Sequence, residues 1–129
     1  MTLTTLVTGS RASARESAIA QVLLPGITCA VILEGLADGH SLLADHVLAP
    51  HVVRIAPGCL CCTGNLILRV TLNRILRHPP ARLFISLANG EHVGQLRQWL
   101  SQAPYDALLT LEEAIELDRA GHAGAASGT

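Results

Sequence analysis

The chain has 129 residues, half of them apolar, one each of Phe, Trp and Tyr, and a net charge of −1. One domain of this length buries about two thirds of its unfolded surface, and with so few aromatics its core must be aliphatic. The charge balance argues against a nucleic-acid footprint, which needs a basic stripe, and no apolar run reaches the roughly 18 residues of a membrane span. The N-terminus lacks the cationic start and long apolar run of a signal peptide, so a cytoplasmic protein is expected. All nine basic residues are arginines, which excludes every mechanism that needs a lysine from this polypeptide.

The first element is the β-branched and apolar run Leu3 to Thr8, ending at Gly9. A helical pattern follows from Ala12, with Ala14, Ala18, Ile19, Val22 and Leu23 recurring at three and four residues until Pro25-Gly26 stops it. Strand, glycine turn and helix form the layout of a phosphate-binding loop, whose template is G-x-x-x-x-G-K-[ST]. Here Gly9 matches, Ala14 replaces the second glycine, Arg15 the lysine and Glu16 the hydroxyl. A carboxylate at that last position repels phosphate. Gly9, Ser13, Arg15 and Ser17 therefore outline a degenerate Walker A nucleotide site without its chemistry. The expectation is a βα turn with Arg15 and Glu16 on a solvated face.

Ile27 to Leu33 reads as a second strand with Cys29 as a core residue, and Glu34-Gly35 closes it. Ser41 to Leu48 predicts a short helix closed by Pro50, and His51 to Ile55 a third strand. That strand leads into Pro57-Gly58-Cys59-Leu60-Cys61-Cys62-Thr63-Gly64, which holds three of the four cysteines. Asn65 to Arg77 predicts an amphipathic helix with the stripe Leu68, Leu72, Ile75 and Leu76 and a solvated face of Arg69, Asn73 and Arg77. Leu66, Ile67 and Val70 lie off that stripe, which predicts cover on more than one side. Arg82 to Leu87 is a fourth strand, Glu91 to Leu100 a helix with Val93, Leu96 and Leu100 facing in, Ala107 to Leu111 a fifth strand and Glu112 to Arg119 a last short helix. The alternation predicts a three-layer α/β fold with a mainly parallel five-stranded sheet, one domain over residues 1–119. Residues 120–129, rich in Gly, Ala and Ser, are expected to be a disordered tail.

In a reducing compartment, clustered cysteines point to metal binding or catalysis rather than to a disulfide framework. Thiolates just ahead of a helix are also stabilised by its dipole. Zinc and cobalt take thiolate, imidazole or carboxylate donors, usually four. Two of Cys59, Cys61 and Cys62 can reach one ion, and Glu34 can supply a third donor if the loops after parallel strands meet on one edge. Water, His40 or a partner chain would complete the set. An incomplete site on a loop suits transfer or sensing better than a closed structural zinc.

The order of elements and the loop Gly58-Cys59-Leu60-Cys61-Cys62 resemble the CobW-like family of P-loop GTPases, which handle zinc, cobalt and related metals. In that family the loop's cysteines bind the transferred metal. Ala30 to Gly35 resembles its segment ending in an acidic N-E-x-G stretch, whose carboxylates lie beside the metal. Arg82 to Ser86 sits where the family has a strand ending in I-E-x-[ST]-G that serves magnesium and nucleotide, and Tyr105 to Ala114 is similar to its next strand. The resemblance runs from about Leu3 to Ala114.

The departures from the family also carry information. The phosphate-loop lysine is lost, Ser86 stands where a Walker B-like glutamate belongs, and a chain without lysine has no N-K-x-D guanine motif. The resemblance thus implies a shortened, degenerate member that keeps the metal loop and scaffold. GTP and magnesium are not expected ligands, and GTPase activity is not expected. The function expected is zinc or cobalt binding in metal homeostasis or delivery, with a metal-receiving protein as partner and neither nucleic acid nor membrane. Two alternatives stay open: a GTP-hydrolysing metallochaperone with a divergent phosphate loop, and a thiol redox or oligomeric scaffold protein. An aliphatic sheet without the family's C-terminal half leaves an apolar surface that a homo-oligomer would cover.

Overall fold

The computed structural model describes residues 2–9, 11–34, 51–55, 66–87 and 93–117. Its elements run β1 (Thr2–Thr8), α1 (Ala12–Val22), β2 (Cys29–Glu34), β3 (His51–Ile55), α2 (Leu66–Leu76), β4 (Arg82–Leu87), α3 (Val93–Leu100), β5 (Leu109–Leu111) and β6 (Ile115–Glu116), with a 3-10 turn at Tyr105–Ala107. The strand order is β3-β2-β4-β1-β5, with β6 also paired to β1. Every strand pairing among the described residues is parallel. Thus β5 and β6 share one edge of β1, Thr2 to Thr4 meeting β5 and Val7 and Thr8 meeting β6. They act as a single interrupted edge strand.

Strands buried on both faces read as continuous apolar runs, and β2 and β4 do so. On one face Leu6, Ala30, Ile32, Leu83 and Ile85 pack with Leu68 and Leu72 of α2 and Leu96 and Leu100 of α3. On the other, Val7, Val31, Leu33 and Phe84 pack with Ile19 and, just past α1, Leu23. One layer of sheet between two layers of helix is the expected three-layer α/β fold. β1 instead buries Thr2, Thr4, Thr5 and Thr8. Three of these hydroxyls find partners, as buried polar groups do: Thr2 donates to the Pro80 carbonyl at 2.7 Å, Thr4 to the Thr2 carbonyl at 3.4 Å and Thr5 to Glu112.

Three expectations need correction. Residues 112–117 form no helix: the Glu112 N–H donates to the Thr4 carbonyl and the Leu117 N–H to the Thr8 carbonyl, both at 2.9 Å. The Glu112 carboxylate pairs with Arg82, and the Arg97 guanidinium donates to the Glu112 carbonyl at 2.9 Å. Pairing with β1 therefore overrides local helix propensity. α2 is covered on one side, with Leu68 and Leu72 fully buried but Ile67 and Val70 50% and 47% exposed. Cys29 is only half-buried at the start of β2, packed against the α1-side cluster. Burial raises its thiol pKa, and the Arg82 charge partly offsets that. The expected helix at 41–48 and the tail at 120–129 lie outside the described residues, among which no helix is long and apolar enough to cross a membrane.

Candidate functional site

Parallel strands end on one side of the sheet, so β1, β2, β3 and β4 bring Thr8, Glu34, Ile55 and Leu87 to a common carboxyl edge. From β1 the chain crosses through α1 on one face, past β4, to β2. From β4 it returns through α3 on the opposite face, past β1, to β5. The direction of winding thus reverses between β1 and β4. In open α/β sheets the crevice at such a reversal, outside the strand ends, is where ligands bind.

Gly9, Arg15, Glu34 and Ser86 meet in this crevice. Arg15 stands in the first turn of α1 and is 2% exposed. Its Nε donates to Ser86 Oγ at 2.6 Å, its Nη1 to the Gly9 carbonyl and its Nη2 to the Glu34 carbonyl at 2.8 Å. One guanidinium therefore ties together the ends of β1, β2 and β4. Glu16, also 2% exposed, lies on the side of β3, where Arg54 Nη2 approaches its two carboxylate oxygens at 3.4 and 3.5 Å. The solvated face expected for Arg15 and Glu16 is thus corrected. A buried charge is stable only when paired or hydrogen-bonded, and the strand ends and Arg54 supply those partners.

Gly9 owes its identity to close packing. A Cβ there would lie 3.2 Å from Leu117 Cβ and 3.5 Å from Arg15 Cγ. Ser13 and Ser17 are half-buried on α1. Because α1 already begins at Ala12, residues 12–14 of the template are helical, and only residues 9–11 separate strand from helix. That leaves little of the extended loop whose amides cradle phosphates.

Glu34 occupies the last position of β2, opposite Ile55 of β3, and is 2% exposed. Side chains alternate along a strand, so Glu34 shares the face of Ala30 and Ile32, the face packed by α2. The chain leaves β3 at Ile55 beside this carboxylate and re-enters the sheet's cover at Leu66, the start of α2. Cys59, Cys61 and Cys62 fall between those two points and lie outside the described residues, as does His40. Among the described residues no group of three or more His, Cys, Asp and Glu side chains gathers to hold a metal.

Sequence reasoning missed Ser86 as the acceptor for Arg15 and Arg54 as the partner of Glu16. The signal was there in two departures taken together, one from the phosphate-loop template and one from the family's Walker B-like position. An arginine in place of lysine needs a new acceptor, and a serine in place of a glutamate offers one.

Fold and crevice together define the class: a parallel three-layer α/β domain of P-loop-like architecture, with an arginine inside its ligand crevice. The chain is similar to the zinc chaperone YeiR of Escherichia coli strain K12, with 31% identity over 123 residues, covering 89% of this chain. It spans 37% of the length of that curated relative. No family model matches the sequence, and no solved structure gives a significant match.

Proposed function

We propose that this domain is a CobW-like metal-handling module that binds zinc as cargo through Cys59, Cys61 and Cys62 with Glu34, and does so without nucleotide. The observation that carries the reading is the register that sets the buried Glu34 carboxylate beside Ile55, where the chain departs toward the three cysteines. The similarity to a zinc chaperone supports zinc as the ion. The donor chemistry suits it, since zinc takes thiolate sulfur and carboxylate oxygen together, and cobalt accepts the same set. The thiols must lose their protons to bind, so affinity rises with pH and loading releases protons. An ion held by a loop and one strand end exchanges ligands readily, which suits delivery to a receiving protein. Burial of Arg15 among the strand ends supports the nucleotide-free part of the reading.

The test is a cobalt titration of the reduced full chain beside Cys61→Ala and Cys62→Ala, read by thiolate-to-cobalt charge-transfer absorption. The expected result is one-to-one binding in the parent chain and loss of the band in both variants. A band that survives both substitutions, or no band in the parent, contradicts the proposal.

A further inference from the structure

The crevice between β1 and β4 is where this topology would receive a phosphate-bearing ligand, and a group of the chain itself lies at that point. We propose that Arg15 is the resident ligand of that crevice: an internal guanidinium that holds the carboxyl edge of the sheet formed with no bound nucleotide. The inference rests on the nucleotide-free part of the proposed function and is independent of the metal part.

Three observations converge on it. Arg15 presents three different nitrogens to three acceptors on β2, on β4 and just past β1. A planar fork of donors matches such a spread of acceptors, and a lysine ammonium at one point does not. Next, two of those acceptors are main-chain carbonyls, at Gly9 and Glu34. Carbonyl oxygens attract a cation and repel a phosphate, so the crevice is lined for the group that now sits in it. Third, a basic residue in the first turn of a helix opposes the helix dipole. α1 nevertheless carries Arg15 in its first turn and has no acidic residue there. The carbonyl cage offsets that repulsion.

Packing completes the assignment. The Arg15 stem passes Gly9, and Leu117, just beyond β6, closes over the same glycine. Ser86 is fully buried, so its hydroxyl serves the guanidinium rather than solvent. Holding the Glu34 carbonyl also fixes the point where the chain leaves β2.

The experiment compares the full chain with Arg15→Ala, Arg15→Lys and Ser86→Ala by urea and thermal unfolding, followed through Trp99. Loss of a charged donor to several buried acceptors is expected to raise the unfolding constant of Arg15→Ala about a hundredfold, with Arg15→Lys between it and the parent. Millimolar ethylguanidinium should raise the Tm of Arg15→Ala, as a ligand specific for the folded state does, without raising that of the parent. Ethylammonium should do neither. Should Arg15→Ala not fold, Ser86→Ala keeps the test open: it is expected to raise the unfolding constant about tenfold, an effect that shrinks in an Arg15→Lys background. An Arg15→Ala as stable as the parent, an equal or absent response to both cations, or a Ser86→Ala effect unchanged by Arg15→Lys overturns the assignment. A rise in the parent's Tm with GTP and magnesium contradicts the nucleotide-free reading itself.

Discussion

Gly9 opens the phosphate-loop template, where glycine lets backbone approach phosphate, but packing alone accounts for it here. Gly9 has no left-handed φ, so alanine carries no backbone strain, and the contacts of its Cβ decide the outcome. Alanine would gain about 0.4–1 kcal/mol by restricting the unfolded chain. Against that, its Cβ would stand 3.2 Å from Leu117 Cβ and 3.4 Å from Leu117 Cδ1. The δ-methyl can swing aside. The Leu117 Cβ moves only with its backbone, which the 2.9 Å bond to the Thr8 carbonyl holds. Overpacking of this kind costs about 1–3 kcal/mol, so Gly9→Ala should be net destabilising by about 1 kcal/mol, or about 4 °C in Tm. The sign should depend on the neighbour. In a Leu117→Ala background the Cβ contact remains and the cost persists. In a Leu117→Gly background it vanishes, and Gly9→Ala should become stabilising by about 0.4–1 kcal/mol. Urea unfolding of Gly9→Ala in the three backgrounds measures each step. A stabilising Gly9→Ala in the parent, or an equal cost with glycine at 117, refutes the reasoning.

Two further predictions follow from burial. Leu72→Ala, at a fully buried position on α2, should cost about 3 kcal/mol, while Val70→Ala, at a position 47% exposed, should stay within about 0.5 kcal/mol; equal costs would show that α2 is covered on both sides. Burial holds the Cys29 thiol above its ordinary pKa and Arg82 draws it partly back, so in a chain with Cys59, Cys61 and Cys62 changed to Ser, alkylation at a fixed mildly alkaline pH should be slower than for an exposed thiol. Arg82→Met should slow it again, and a faster reaction would contradict the electrostatic assignment. Because the folded-state pKa is the higher one, the folded thiol holds its proton longer. Its contribution to stability is therefore full below the unfolded pKa and is lost as pH rises through the folded value.

Much of the architecture was legible because a parallel sheet leaves a plain mark. The runs Thr5 to Thr8, Ala30 to Leu33 and Leu83 to Ile85 are apolar or β-branched on both faces, and α2 shows its stripe at Leu68, Leu72 and Ile75. The strand order was not legible, since no local pattern records that β4 lies between β1 and β2. Local pattern also misled at Glu112, where acidic residues near alanine suggest a helix. Non-local bonds to Thr4, Arg82 and Arg97 outweigh that preference. Arg15 and Glu16 were hidden for a related reason. Charged residues early in a helix usually face water, and only the folded sheet edge reveals three acceptors for one and a guanidinium for the other. The candidate metal site divides the same way, with Glu34 placed by the register and the cysteines known from sequence.

The most direct test of the central claim, metal binding on a scaffold that needs no nucleotide, is a zinc titration against a competing chelator. It should be run on the reduced full chain with and without saturating GTP and magnesium. The account predicts one zinc per chain and the same affinity in both conditions. No zinc binding would contradict the metal reading, and an affinity that changes when GTP is added would contradict the nucleotide-free one.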